Sequence, residues 1–165
     1  MNIREYIDND LTFLQDSLVK LNNYIAATDP LKRIYTSDDF KKIYTEDVLD
    51  RVHKQNGIIY ICIIEGIPVG FIAGIIEKPS PVERTCSIAA TDGRIIELFL
   101  EEKFRGTNIA QALMQKMEEF FKRAGCNLVW IDVFNYNEIA KKFYSKCGYE
   151  TRNIEVCKPI YFNNL

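Results

Sequence analysis

Histidine is almost missing from this sequence: His53 is the only one in 165 residues. Cys62, Cys86, Cys126, Cys147 and Cys157 are odd in number, widely spaced and never arranged C-x-x-C. A His/Cys metal site and a disulfide framework are therefore not expected, and no metal cofactor is assigned. Cys62 lies in an apolar run and reads as a core thiol, while a Cys–His nucleophile built on His53 stays open. Charge of one sign is not in excess. The net charge is −2 and the pI about 5.5, which argues against a nucleic-acid partner and suits a cationic or amine ligand. No Lys-Ser or Lys-Thr pair closes a Gly-rich turn, and G-x-G-x-x-G is absent, so neither a Walker A loop nor a dinucleotide fingerprint is present. Repeats, low-complexity segments and linkers are absent too, and one domain over residues 1–165 is expected.

No apolar run is long enough and clean enough to cross a bilayer. Residues 58–76 come nearest, but they are rich in β-branched side chains and broken by Glu65-Gly66 and Pro68. Two buried strands joined by a tight turn explain them, whereas a membrane helix would carry Glu65 in hydrocarbon at several kcal/mol. Neither a membrane partner nor, from the early charge in Met-Asn-Ile-Arg-Glu-Tyr, a signal peptide is expected, which makes the cytoplasm the expected location.

What is present is 47% apolar residues, ample for a packed core. Ile3–Ile7 reads as a first strand. Leu11, Leu14, Leu18 and Leu21 recur at helical spacing, with Asp10 as the cap. Residues 36–39 cap a second short helix, and 45–53 form another, closed by Asn56-Gly57. A loop is expected over 78–93, with extension of the flanking strands into it left open, a strand over 95–100, a helix ending near Ala124 with Ile109, Leu113, Met117, Phe120 and Phe121 buried, a strand over 128–133, and one or two strands over 150–162.

The richest stretch is 104–113, Phe-Arg-Gly-Thr-Asn-Ile-Ala-Gln-Ala-Leu. A strand that turns through a basic, Gly-containing loop into a helix is a phosphate-binding arrangement. The first helical turn leaves N–H groups unpaired, the helix dipole adds positive charge, and Arg105 adds a donor fork. Farther on, Asn137 is placed to cap a short helix bearing Ala140, Phe143 and Tyr144, which Gly148 terminates.

These two segments carry a resemblance. Arg105-x-x-Asn108-x-Ala110 is similar to the acyl-CoA loop pattern of the GNAT acetyltransferases, Arg/Gln-x-x-Gly-x-Gly/Ala, with Asn108 in place of a Gly. Asn tolerates positive φ, so the turn is expected to survive the replacement. Asn137-x-x-Ala140-x-x-Phe143-Tyr144-x-x-x-Gly148-Tyr149 resembles the second signature of the same superfamily. The resemblance covers roughly residues 58–160 and more weakly the N-terminal third.

The resemblance implies an α/β fold, a central mixed twisted sheet with splayed central strands and helices on both faces. It implies an N-acetyltransferase using acetyl-CoA as cosubstrate, with direct attack by a primary amine on a small molecule or peptide. The pantetheine arm would pair with Leu98, Phe99 and Leu100, and the pyrophosphate with the N–H groups of Arg105, Gly106, Thr107, Asn108, Ile109 and Ala110. Asn137 would hold the CoA arm as well as cap its helix. Tyr144 is the implied general acid, next to the CoA sulfur, and Glu97 or Asp132 the base. Strand alternation places Glu97 on one face with Ile95 and Phe99, opposite Ile96 and Leu98. Trp130, Phe134 and Tyr136 are open to a core or an acceptor-site reading. The alternative is an acyl-CoA-binding module without turnover, which Asn108 keeps open. A homodimer is compatible with the resemblance. Acceptor choice would lie in the N-terminal helices and the 78–93 loop, which carry no motif.

Overall fold

Period-2 and period-3.6 patterning alternate along this chain, and the computed structural model, which describes residues 1–88 and 90–160, turns them into strands and helices in the same order. The elements are β1 (Asn2–Glu5), α1 (Leu11–Thr28), α2 (Phe40–Lys54), β2 (Ile58–Ile64), β3 (Ile67–Glu77), a one-turn α3 (Glu83–Cys86), β4 (Asp92–Leu100), α4 (Ile109–Arg123), β5 (Val129–Ile131) and α5 (Glu138–Lys146). The strands form one sheet in sequence order. The first three pairings are antiparallel and β4–β5 is parallel. A parallel pair needs a crossover, and α4 supplies it.

Helices cover both faces. On one, Leu113, Met114, Met117 and Phe121 of α4 pack on Cys62, Ile72, Ile95 and Leu100, with Phe143 and Tyr144 of α5 at the margin. On the other, Leu14 and Leu18 of α1 and Val48 of α2 pack on Ile59, Ile61, Phe71 and Phe99. Each large apolar side chain fully buried here stabilises the fold by about 1.5–3 kcal/mol. Glycines let α4 come close: a Cβ on Gly93 would stand 2.5 Å from Phe121 Cγ, and one on Gly74 2.5 Å from Met117 Sδ. The 58–76 run is the β2–β3 hairpin, turning at Glu65 (φ 51°) and Gly66 (φ 81°) with Ile64 opposite Ile67. Positive φ at both central residues is the turn whose twist suits a hairpin.

The elements depart from the sequence expectations in several places. The two short helices expected across 36–53 are one, α2. Phe40 stacks on Tyr44 at 4.8 Å, and the Thr45 hydroxyl donates to Lys41 O at 2.6 Å, so nothing breaks the helix between them. Asp10 does not cap α1. Its carboxylate accepts both Arg4 guanidinium nitrogens, at 2.6 and 2.8 Å, and the Ile7 N–H at 2.9 Å. The 78–93 loop yields its end to a flanking strand, an extension the sequence reading allowed, because β4 pairs from Asp92, opposite Glu77. Phe120 is only half-buried, and Met114 takes the core position instead. The segment expected to hold terminal strands has none through Ile160. Ile154, Val156 and Ile160 are 79, 86 and 77% exposed, so pairing there has no burial to reward it. Positions 161 and 162 lie outside the described residues.

Candidate functional site

β4 and β5 stay together for only three residues. Gly93, Arg94 and Ile95 face Val129, Trp130 and Ile131, after which β4 runs on alone to Leu100. From Ile96 onward the β5-facing edge of β4 has no strand partner among the described residues, since β5 ends at Ile131. A bulge marks the parting: Ala73 faces Glu97 and Gly74 faces Ile95, leaving Ile96 unmatched. An extra residue reverses alternation. Ile95, Leu98 and Leu100 therefore join the α4 core, while Ile96 and Phe99 join the α1/α2 core. Glu97 reaches α2, so it shares a face with Phe99 and Ile96 and not, as simple alternation predicts, with Ile95.

The Glu97 carboxylate accepts a short hydrogen bond from the Tyr44 hydroxyl of α2. Burial pushes Glu97 up to about 7, against the opposing pull of that bond and of the Arg51 charge. Burial, followed by the Glu97 charge, holds the Tyr44 phenol far above its ordinary value. Tyr144 of α5 lies at the margin of the α4 core. It is held high by burial first and the Glu97 charge second, which places it within electrostatic reach of that carboxylate. Its ring meets Phe143 edge-on at 5.4 Å and lies 6.1 Å from that of Tyr149. The Glu97 carboxyl, pushed up to about 7, and the Tyr144 phenol thus act on each other electrostatically.

The lone edge of β4 leads into the loop before α4. A 3₁₀ turn at Glu102–Phe104 delivers the chain to Gly106, whose φ of 76° makes the corner. The amides of Gly106, Thr107 and Asn108 make no hydrogen bond of standard geometry among the described residues, and the first turn of α4 follows directly. The Thr107 hydroxyl donates to Phe104 O at 2.6 Å and braces the bend. Arg105 turns back, its Nε donating to Leu100 O at 3.3 Å and its guanidinium 5.4 Å above the Tyr24 ring. Asn108 has φ −78°, so the positive φ expected there falls on Gly106 instead, and the residue in place of glycine causes no backbone strain.

Asn137 caps α5, its side chain accepting the Ala140 N–H at 3.1 Å. Asp132 lies just past the end of β5. Its side chain is 91% exposed and accepts from Arg94 at 2.9 Å, so it stands in a surface ion pair apart from Glu97. Trp130 donates to Asp92 at 2.8 Å, and Phe134 stacks on Tyr136 at 5.3 Å. The Tyr136 hydroxyl is buried without a hydrogen bond of standard geometry, yet lies close enough to Asp29 for that charge, after burial, to hold the phenol up. Asp29 is desolvated, but the N–H groups of Arg33, Leu31 and Ile34 outweigh this and hold its carboxyl low while tying down the 29–34 turn.

A sequence model of the acetyltransferase (GNAT) family matches residues 25–149, three-quarters of the chain. This protein belongs to the GNAT family. An uncharacterised N-acetyltransferase of Methanocaldococcus jannaschii is 33% identical over 97 residues, 58% of this chain, and the chain spans only 40% of that relative's length. A mutant Bacillus halodurans protein superposes with a TM-score of 0.85 at 15% identity, over 98% of this chain and all of the other. An aminoglycoside N-acetyltransferase solved in complex with CoA superposes at 0.66 and 17% identity, over 96% of this chain and all of the other. At such identities the structural likenesses establish the fold.

Of the residues expected from sequence, Glu97 and Tyr144 are within electrostatic reach of each other, and Leu98, Phe99 and Leu100 lie on the part of β4 that β5 does not pair. The loop of Arg105, Gly106, Thr107, Asn108, Ile109 and Ala110 follows the end of β4. Asp132 is not brought in. Sequence reasoning missed Tyr44 and Arg51, which act on Glu97 from α2, and the Asp29 tether. The i, i+4 aromatic pair Phe40–Tyr44 marks a packed helix face, but nothing in chain order ties it to residue 97. No group of three or more His, Cys, Asp or Glu is arranged for a metal, and no helix is long and apolar enough to cross a membrane, among the described residues.

Proposed function

We propose that this GNAT chain transfers the acetyl group of acetyl-CoA to a primary amine by direct attack. The carrying observation is the unpaired edge of β4, which joins the free amides of the α4 start to Glu97 and Tyr144 at the parting from β5. A fold relative solved in complex with CoA supports this cosubstrate. The residues present fit it: three unpaired loop amides, the positive end of α4 and Arg105 suit a pyrophosphate, and a strand edge suits an amide-bearing arm. Acetyl-CoA supplies an acyl thioester, so the chemistry needs a neutral amine and a protonated leaving sulfur.

Glu97 serves as the base. With its pKa near 7 it is substantially ionised at neutral pH and basic enough to accept an ammonium proton, directly or through one water. Tyr144 is the proton donor to the departing sulfur, and its raised pKa keeps the phenol protonated until it is needed. Asp132, held by Arg94 at the surface, has no part in this assignment. Asn137 orients α5, and so Tyr144, through its cap. The test is free-thiol release from acetyl-CoA across an amine panel. Release dependent on an amine supports the reading, and tight acetyl-CoA binding without release from any amine overturns it in favour of a binding module.

A further inference from the structure

β5 is an outer edge of the sheet, with β4 on one side and no strand on the other among the described residues. The strand-like sequence pattern there runs over 128–133, yet only Val129–Ile131 is a strand. The residues flanking it are apolar and bare: Leu128 is 50% exposed, Val133 38% and Phe134 46%. A second stretch is unmet in the same way. After α5, residues 150–160 are exposed throughout, and their backbone makes no hydrogen bond of standard geometry among the described residues. Their pattern is nevertheless that of a strand. Arg152, Ile154, Val156, Lys158 and Ile160 alternate onto one face, with Asn153, Glu155 and Cys157 on the other. Pro159 belongs to the second set, so its missing N–H points away from any strand that pairs with the even-numbered residues, the side of an edge strand on which proline is tolerated.

Both stretches lack a neighbouring strand, and each has the form the other needs. The 150–160 arm does not supply it to its own β5. The Tyr149 hydroxyl donates to Glu118 of α4 at 3.0 Å, and the Arg152 guanidinium stands over the Trp130 ring at 4.8 Å. The arm therefore meets its own β5 at Arg152, and Ile154, Val156 and Ile160 follow in the open. We infer that residues 150–160 are an exchanged strand: in a pair of these chains, each arm lies along the outer edge of the other copy's β5. The occupant is a second copy because one chain carries both unmet halves, and a two-fold pair satisfies both at once. An extended arm of this length spans roughly 35 Å, enough to run the whole 128–133 edge at roughly 20 Å. Pairing would lengthen β5 to the limits of its sequence pattern, give Ile154, Val156 and Ile160 the burial they lack, and cover an edge otherwise open to indiscriminate pairing. This arrangement is independent of the acetyl transfer.

The test is sedimentation of the full chain over a range of concentrations, joined to NMR on a mixed sample in which only one of the two copies is isotope-labelled. A dimer is expected, with contacts between the methyl groups of Ile154 and Val156 in one copy and residues 128–133 in the other. Ile154→Lys combined with Val156→Lys changes two side chains that are exposed in the single chain, so circular dichroism should report the wild-type fold. The dimer dissociation constant should rise at least roughly 100-fold, since each apolar side chain lost from burial is worth about tenfold or more. Ile67→Lys replaces an equally bare isoleucine, 62% exposed at the β2–β3 turn, and should leave the dimer intact. A chain that stays monomeric, a dimer that the double arm variant does not weaken or that Ile67→Lys weakens as much, or arm–β5 contacts confined to one copy overturns the inference.

Discussion

Tyr44 of α2 donates a hydrogen bond to Glu97 of β4 across 53 residues of chain, joining the helical layer to the stretch of β4 just past its pairing with β5. The bond has a direction of effect: it stabilises the Glu97 carboxylate and so pulls against the burial that raises it. Tyr44→Phe keeps the ring on Phe40 and removes the donor. Glu97 should then titrate above about 7. The acidic limb of the kcat/KM profile should move to higher pH, by up to about one unit. A limb that stays in place would separate Tyr44 from the group that controls the rate.

Glu97 also links pH to stability. Its folded value, about 7, lies above the ordinary 4.5. The native state therefore holds the proton more tightly than the unfolded chain, and the associated stability is fully present below about 4.5 and is lost as pH rises through 7. Glutamine is neutral throughout. Glu97→Gln should raise the melting temperature over wild type more at pH 8 than at pH 5, with an added stability on the order of 2 kcal/mol. Calorimetry at the two pH values measures it, and a gain that does not grow with pH contradicts a desolvated, ionising Glu97.

Local patterning made most of the fold legible. The α4 stripe, the β2–β3 turn and the cap and stop of α5 are set by residues within a few positions of each other, as at Asn137 with Ala140. The bulge at Ile96 was not legible, because it depends on which residue of β3 stands opposite. It decides where Glu97 points, so simple alternation gave the right partner in Phe99 and the wrong one in Ile95. Asp132 and Glu97 look alike in sequence, each an acid in a strand-like run, but only Glu97 lies within a paired strand, with β5 ending at Ile131. Tyr44 and Asp29 act through contacts between distant elements, and no spacing encodes those.

Packing between α4 and the sheet gives a prediction that does not involve activity. A Cβ on Gly93 would meet three ring atoms of Phe121 at 2.5–2.6 Å, and that ring is 1% exposed. It cannot retreat without disturbing Met117. Gly93→Ala should destabilise the protein by about 1–3 kcal/mol in urea unfolding, the usual range for overpacking. Gly66→Ala, where the space is open, should cost through its φ of 81° alone. A neutral Gly93→Ala would mean that α4 sits farther from the sheet.

At the loop, charge and conformation are separable. Arg105→Glu replaces a donor fork with an acid beside the free amides of Gly106, Thr107 and Asn108. Calorimetric affinity for acetyl-CoA should fall by at least tenfold, roughly the scale of one lost charge-assisted contact. Asn108→Gly should be nearly silent, since Asn108 already has an ordinary φ of −78° and its side chain makes no cap bond. Loss of binding with the glycine would give the Asn108 side chain a contact of its own, and unchanged affinity in Arg105→Glu would remove the loop from the proposed site.

Tyr144→Phe tests the proton donor. The phenol is half-buried against Phe143 and Tyr149, and the substitution removes one hydroxyl while keeping the ring contacts. Acetyl-CoA affinity and melting temperature should stay near wild type while kcat falls by roughly 10²-fold, the effect of losing a positioned acid. The basic limb of the rate profile separates this role from packing. Tyr144 stays protonated well above neutrality because burial and the Glu97 charge both disfavour its anion, so the wild-type rate should hold at alkaline pH. If sulfur departure limits the variant, a thioester whose thiol is more acidic than CoA should restore much of its rate, because such a sulfur leaves without a proton. A rate that falls equally for both thioesters would assign Tyr144 to shaping the opening, and one that does not fall at all would leave catalysis to the proximity of amine and thioester.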